Sequence, residues 1–114
     1  MRKIQWSQDV SLNNLNEFKD KINELLASPS RQLILDLKGT KYANSRAFGI
    51  IAYAIVEAKK KDREIVIIRV EKTMQKLFDI LRFQTIVTFL KDEKEAFDYF
   101  FKYEDMSVLT ETIN

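Results

Sequence analysis

The sequence predicts an α/β domain built on a largely parallel sheet of about four strands flanked by about four helices, and three observations carry that expectation. Leu33-Ile34-Leu35 and Ile65-Val66-Ile67-Ile68 are apolar without alternation, the pattern of strands covered on both faces. Amphipathic stretches of roughly 10–15 residues separate the strand-like runs, as βαβ crossovers require. The 114 residues contain one proline, two glycines and no low-complexity linker, so a single core is expected.

A weak opening strand falls at Lys3 to Trp6. Leu12, Leu15, Phe18, Ile22, Leu25 and Leu26 then recur at helical spacing, with Ser11 or Asn13 as cap and Ser28-Pro29 as the stop. After the strand at Leu33 to Leu35, a helix spans Ser45 to Lys61. Its stretch from Ala47 to Val56 carries no charge, so it is either enclosed or keeps a face for a partner. Phe48 and Tyr53 are the residues expected on that free face. The second continuous strand follows, then a helix marked by Met74, Leu77, Phe78 and Leu81 and opened by Glu71. A third strand at Ile86 to Phe89 leads to a last helix opened by Asp92 and Glu93, where acidic side chains suit the positive helix end. Core packing is expected for Phe97, Phe100 and Phe101, whereas Tyr99 and Tyr103, four apart, could line the contact of a weak homodimer. The domain is expected over residues 1–103, with a polar, loose tail over 104–114.

Composition removes several classes of function. With no cysteine there is no disulfide or thiolate metal site, and with no histidine the commonest general base and zinc ligand are gone. Net charge is +2 with both signs interspersed, which does not indicate a nucleic-acid protein; the run Lys59-Lys60-Lys61-Asp62-Arg63 reads first as a solvated connection, with a partner or nucleic-acid contact as the alternative. No apolar stretch approaches the ~20 residues of a membrane span, so no membrane insertion and a cytoplasmic location are expected. No carboxylates are spaced as an acid–base pair or metal cluster, and no glycine-rich phosphate loop occurs. Catalytic residues, cofactors and metals are therefore all expected to be none.

The informative segment is Asn44-Ser45-Arg46-Ala47-Phe48-Gly49, opening the apolar helix after Leu33-Ile34-Leu35-Asp36-Leu37. Either Ser45 caps the helix, or Asn44 caps it and Ser45 occupies the first turn. The order of strand ending in Asp-Leu, loop, serine and apolar helix resembles the STAS domain of sulfate transporters and anti-sigma factor antagonists. Val70 to Leu81, and Ile86 to Phe89 with Asp92 to Ala96, are similar to that family's later elements, and the resemblance extends roughly from Leu12 to Phe101. In this sequence Asn44 stands where the family has aspartate, and Arg46 and Ala47 where it has small residues.

The resemblance implies a non-enzymatic bacterial binding protein in transcription regulation. Its partner would be an anti-sigma factor that is also a serine kinase, and Ser45 would be the phosphoacceptor. Asn44, Arg46, Phe48, Gly49 and Tyr53 would then form the partner-binding surface. A hydroxyl there suits a switch, because phosphorylation adds nearly two negative charges where a partner docks. The alternative is a constitutive accessory or scaffold subunit of a transport or signalling complex, with Ser45 reduced to a structural role.

Overall fold

A computed structural model describes residues 1–101 of the chain; Tyr103 and the expected tail over 104–114 lie outside the described residues. Strands β1 (Arg2–Gln5), β2 (Gln32–Asp36), β3 (Glu64–Ile68) and β4 (Thr88–Leu90) form one sheet in the order β1-β2-β3-β4, every pair parallel. Helices α1 (Leu15–Ala27), α2 (Ser45–Lys60) and α3 (Lys72–Ile80) are the three crossovers, a single 3₁₀ turn (Phe83–Thr85) precedes β4, and helix α4 covers residues 93–101.

This strand order dictates the layering. Each crossover steps one strand in the same direction, and right-handed crossovers that never reverse place all their helices on one face. The row Ile4, Leu35, Ile67 and Phe89 accordingly packs with Phe18, Ile22 and Leu25 of α1, Ile51 and Ile55 of α2, and Met74 and Phe78 of α3. Residues one position away point to the other face, because strand side chains alternate. There Ile34, Val66 and Ile68 meet Ala96 and Phe100 of α4. Full burial of each large aliphatic contributes roughly 1.5–3 kcal/mol, which is why the uncharged strands and the two helical layers define the fold together.

Several boundaries differ from expectation. α1 starts at Leu15 with Asn14 as its N-cap, and Leu12 is 73% exposed. Asn14 Oδ1 accepts from Ser11 N while Asn14 Nδ2 donates to Asp9 O, so these polar groups hold the preceding turn and do not extend the helix. The fourth strand begins at Thr88, because Phe83–Thr85 is drawn into a 3₁₀ turn and Ile86 N donates to Phe83 O. Phe97 is 51% exposed and lies against Phe101 at 4.5 Å, so the aromatic that fills the second core is Phe100. Tyr99 donates its hydroxyl to Glu64 Oε2 at 2.7 Å and thereby ties α4 to β3.

The basic run at the end of α2 is tied to the fold at three points. Lys59 Nζ donates to Ile86 O, Lys60 pairs with Glu57, and Arg63 donates to Ser28 O. Lys59, Lys60 and Arg63 are thereby engaged by the chain itself, and Lys61 is exposed.

Candidate functional site

The β2–α2 loop carries Ser45, and its shape is set before the helix begins. Gly39 has φ +90°, and a Cβ there would meet the Ser7 carbonyl oxygen at 3.0 Å. Thr40, fully buried, donates its hydroxyl to Trp6 O at 2.8 Å. Asp9 Oδ1 accepts from both Lys41 N and Tyr42 N, at 2.9 and 3.0 Å. Val10 pairs with Ala43 in a parallel bridge, with Val10 N donating to Tyr42 O and Asn44 N to Val10 O. From the other side Glu71 accepts from Gly39 N, and Thr73 donates to Lys41 O. The loop is therefore held between the β1–α1 loop and the head of α3.

Gly39→Ala is expected to cost about 2 kcal/mol, because a side chain at that φ is strained and its Cβ is crowded by backbone. Gly49→Ala, in mid-helix with nothing within 4 Å of the added carbon, should stabilise by roughly 1 kcal/mol. Urea denaturation of both variants checks the contrast.

Asn44 caps α2: it has extended backbone angles, and its Oδ1 accepts from Ala47 N at 2.9 Å. This decides between the two readings of the serine. Ser45 is the first residue of the helix, is exposed, and takes no part in the cap. Among the described residues no acidic side chain lies in the first turn of α2.

The other expected contact residues divide. Asn44 is half-buried by its capping role, while Arg46, Gly49 and Tyr53 are exposed. Tyr53 is 63% exposed, and Val56, three residues on, is 45% exposed. At about 100° per residue, Ser45, Arg46, Gly49, Tyr53, Val56 and Lys60 fall on one arc of the helix. Phe48 does not join them. It is only 6% exposed and meets Phe78 and Phe83 edge-on, at 5.0 and 5.8 Å. Val56 and the loop residue Tyr42, 53% exposed, are the apolar contributors that sequence reasoning missed. For Val56 the signal was present, since it follows Tyr53 by three residues and Gly49 by seven. For Tyr42 no periodic signal exists.

Asp36, which ends β2, is fully buried; its Oδ1 accepts from Lys38 N at 3.0 Å. Its Oδ2 lies 3.9 Å from both Lys3 Nζ and Arg69 Nε. Lys3 also pairs with Glu93 of α4, and that hydrogen bond and charge hold the Glu93 carboxyl below its ordinary range. The group is an ion-paired joint between the strand ends and α4. No cluster of three or more metal-ligating acidic side chains occurs among the described residues, and no described helix is long and apolar enough to cross a membrane.

Comparison with known proteins agrees with this architecture. The family model of the STAS domain matches residues 3–96. A search of curated proteins returns no match. Among solved structures, the anti-sigma factor antagonist SpoIIAA in its unphosphorylated form is similar, with a TM-score of 0.68 over 85% of this chain and 84% of that one. Sequence identity is 13%, so that likeness speaks to the fold. With the family model spanning all four strands, all three crossovers and the start of α4, the chain belongs to the STAS domain family.

Proposed function

We propose that this chain is a non-enzymatic, anti-sigma factor antagonist-like regulator. It docks a serine-kinase-type anti-sigma factor on the exposed arc of α2 and is released when Ser45 is phosphorylated. The observation that carries this reading is the position of Ser45: a hydroxyl free of the cap, at the first residue of a helix whose exposed arc continues through Gly49, Tyr53 and Val56. Tyr53 lies two helical turns beyond it, roughly 12 Å away. One partner surface can cover both. Asn44 takes the capping role in place of Ser45, so modifying the hydroxyl costs the helix nothing.

The helix end also explains why a phosphate would act on binding and leave the fold alone. Anionic groups in a first turn interact favourably with the positive helix end, by about 0.3–1 kcal/mol. The same charge, placed at the rim of a desolvated contact, penalises docking. Ser45→Asp is therefore expected to keep or slightly raise thermal stability while abolishing capture of the partner, and Ser45→Ala should bind like wild type. Paired pull-downs from lysate of the source organism, read by mass spectrometry and accompanied by thermal melts, check both arms. Equal capture of the same proteins by both variants would sink the switch and leave a constitutive accessory subunit. Tyr53→Ala should weaken capture at unchanged stability.

A further inference from the structure

The end of the domain that presents Ser45 carries a positive excess. Lys38, Lys41, Arg46 and Lys72 are all exposed there, and none joins an ion pair among the described residues. Hydrogen bonds bring the segments of the three lysines together, since Lys41 O accepts from Thr73, next to Lys72, while Gly39 N, next to Lys38, donates to Glu71; Arg46 stands at the head of α2, where this loop ends. The nearby acidic groups are fewer, and their oxygens are turned to the chain itself. Asp9 and Glu71 accept backbone amides of this loop, and Asp36 is buried against Lys3 and Arg69. The topology adds to the field, because every βαβ crossover returns its helix with the N-terminus at the carboxyl end of the strands. The positive ends of α2 and α3 thus open on the same side.

We infer that the partner surface covering Ser45 is acidic, complementary to the rim of Lys38, Lys41, Arg46 and Lys72 around the apolar contacts of Tyr42 and Tyr53. This inference rests on the docking reading above and supplies the sign of its switch. A phosphate on Ser45 would be drawn toward Arg46 and the helix end within the domain. It would release only a partner whose facing groups are negative; a basic partner would be held more tightly. Asn44 adds no charge at the helix head, so the four cations outnumber the Asp9 and Glu71 carboxylates at this rim. A chain of net charge +2 with one local cationic rim fits a protein contact better than a polyanion-binding surface.

The test uses the full chain and the protein that wild type captures and Ser45→Asp does not. Its affinity is measured with wild type, with the triple variant Lys41→Glu, Arg46→Glu, Lys72→Glu, and with Lys94→Glu, an exposed position on α4 at the other face. The triple variant is expected to weaken binding at least tenfold. Wild-type binding should fall severalfold as salt rises from about 50 to 300 mM, and Lys94→Glu should change nothing. Circular dichroism confirms that the variants fold. If capture depends on Ser45 but the triple variant binds equally or better, the acidic-partner inference is overturned and the docking reading stands. Absence of any Ser45-dependent capture overturns both. Stoichiometric binding of a 20-nucleotide single-stranded RNA, lost in the triple variant, overturns the inference in favour of nucleic acid.

Discussion

Phe78→Ala is expected to lower the unfolding free energy by about 3–5 kcal/mol, the range for deleting a fully buried aromatic and leaving a cavity. Phe78 has no exposed surface and lies at the centre of an aromatic cluster. Its ring is 5.0 Å from Phe48, 5.0 Å from Phe83 and 5.1 Å from Phe89. Those partners come from α2, the 3₁₀ turn and β4, so one side chain joins three elements to α3. Edge-to-face pairs add about 0.5–1.5 kcal/mol each beyond area. Phe78→Leu, which keeps most of the volume, should cost under about 1.5 kcal/mol. Urea denaturation followed by circular dichroism measures both. A loss below 1 kcal/mol for Phe78→Ala, or equal losses for the two variants, would show that the cluster is not a single packed unit.

The second large effect is expected at Asp36. Asp36→Ala should destabilise by about 2–3 kcal/mol, toward the lower end for breaking a buried ion pair, because Lys3 and Arg69 keep partial access to water. Two losses combine there: the hydrogen bond to Lys38 N, and the carboxylate facing a buried Arg69 Nε that has no other partner. Arg69 holds φ +55°, a conformation that bulky residues adopt only when their surroundings require it. Asp36→Asn separates the two losses. It can still accept from Lys38 N but carries no charge, so its cost relative to Asp36→Ala reports the electrostatic share. If the two variants are equally destabilised, the charge dominates; if Asp36→Asn is near wild type, the turn-forming hydrogen bond does. Since Asp36 begins the loop that ends at Ser45, partner binding should fall alongside stability in Asp36→Ala.

The candidate site was legible in part. The apolar helix and an exposed Tyr53 follow from helical spacing, whereas Ser45, Arg46 and Gly49 were singled out by the resemblance, and the structure places all three exposed on the arc. Phe48 was assigned to the wrong face, and the periodicity argues against that assignment. It precedes Ile55 by seven residues, two helical turns, so the two share a face, and Ile55 is 1% exposed. The uncharged run from Ala47 to Val56 obscured this, because when every residue is apolar, composition no longer says which side is wet. Tyr42 and the cationic rim lie on loops and on different helices, where spacing along the chain carries no information about neighbourhood.

What the sequence determined by itself was the succession of elements and their burial class. Continuous β-branched and aliphatic runs at Leu33–Leu35 and Ile65–Ile68 have no stable place except between two layers, and the amphipathic spacing between them leaves helices as the covering. Element ends near Leu12 and Ile86 were not determined that way, since local turns held by Asn14 and Phe83 compete with helix and strand at similar free energy. Only the tertiary structure decided three further things. Asn44, and not Ser45, caps α2. The loop before it is gripped through Asp9, Thr40 and Thr73, by contacts between residues up to 34 positions apart. And Asp36 is a buried joint, closed by Lys3 of β1 and by Arg69 just past β3. The cap is a local choice between two adjacent polar residues, while the other two depend on which side chains the parallel sheet brings together, a proximity that sheet register creates and local propensity does not encode.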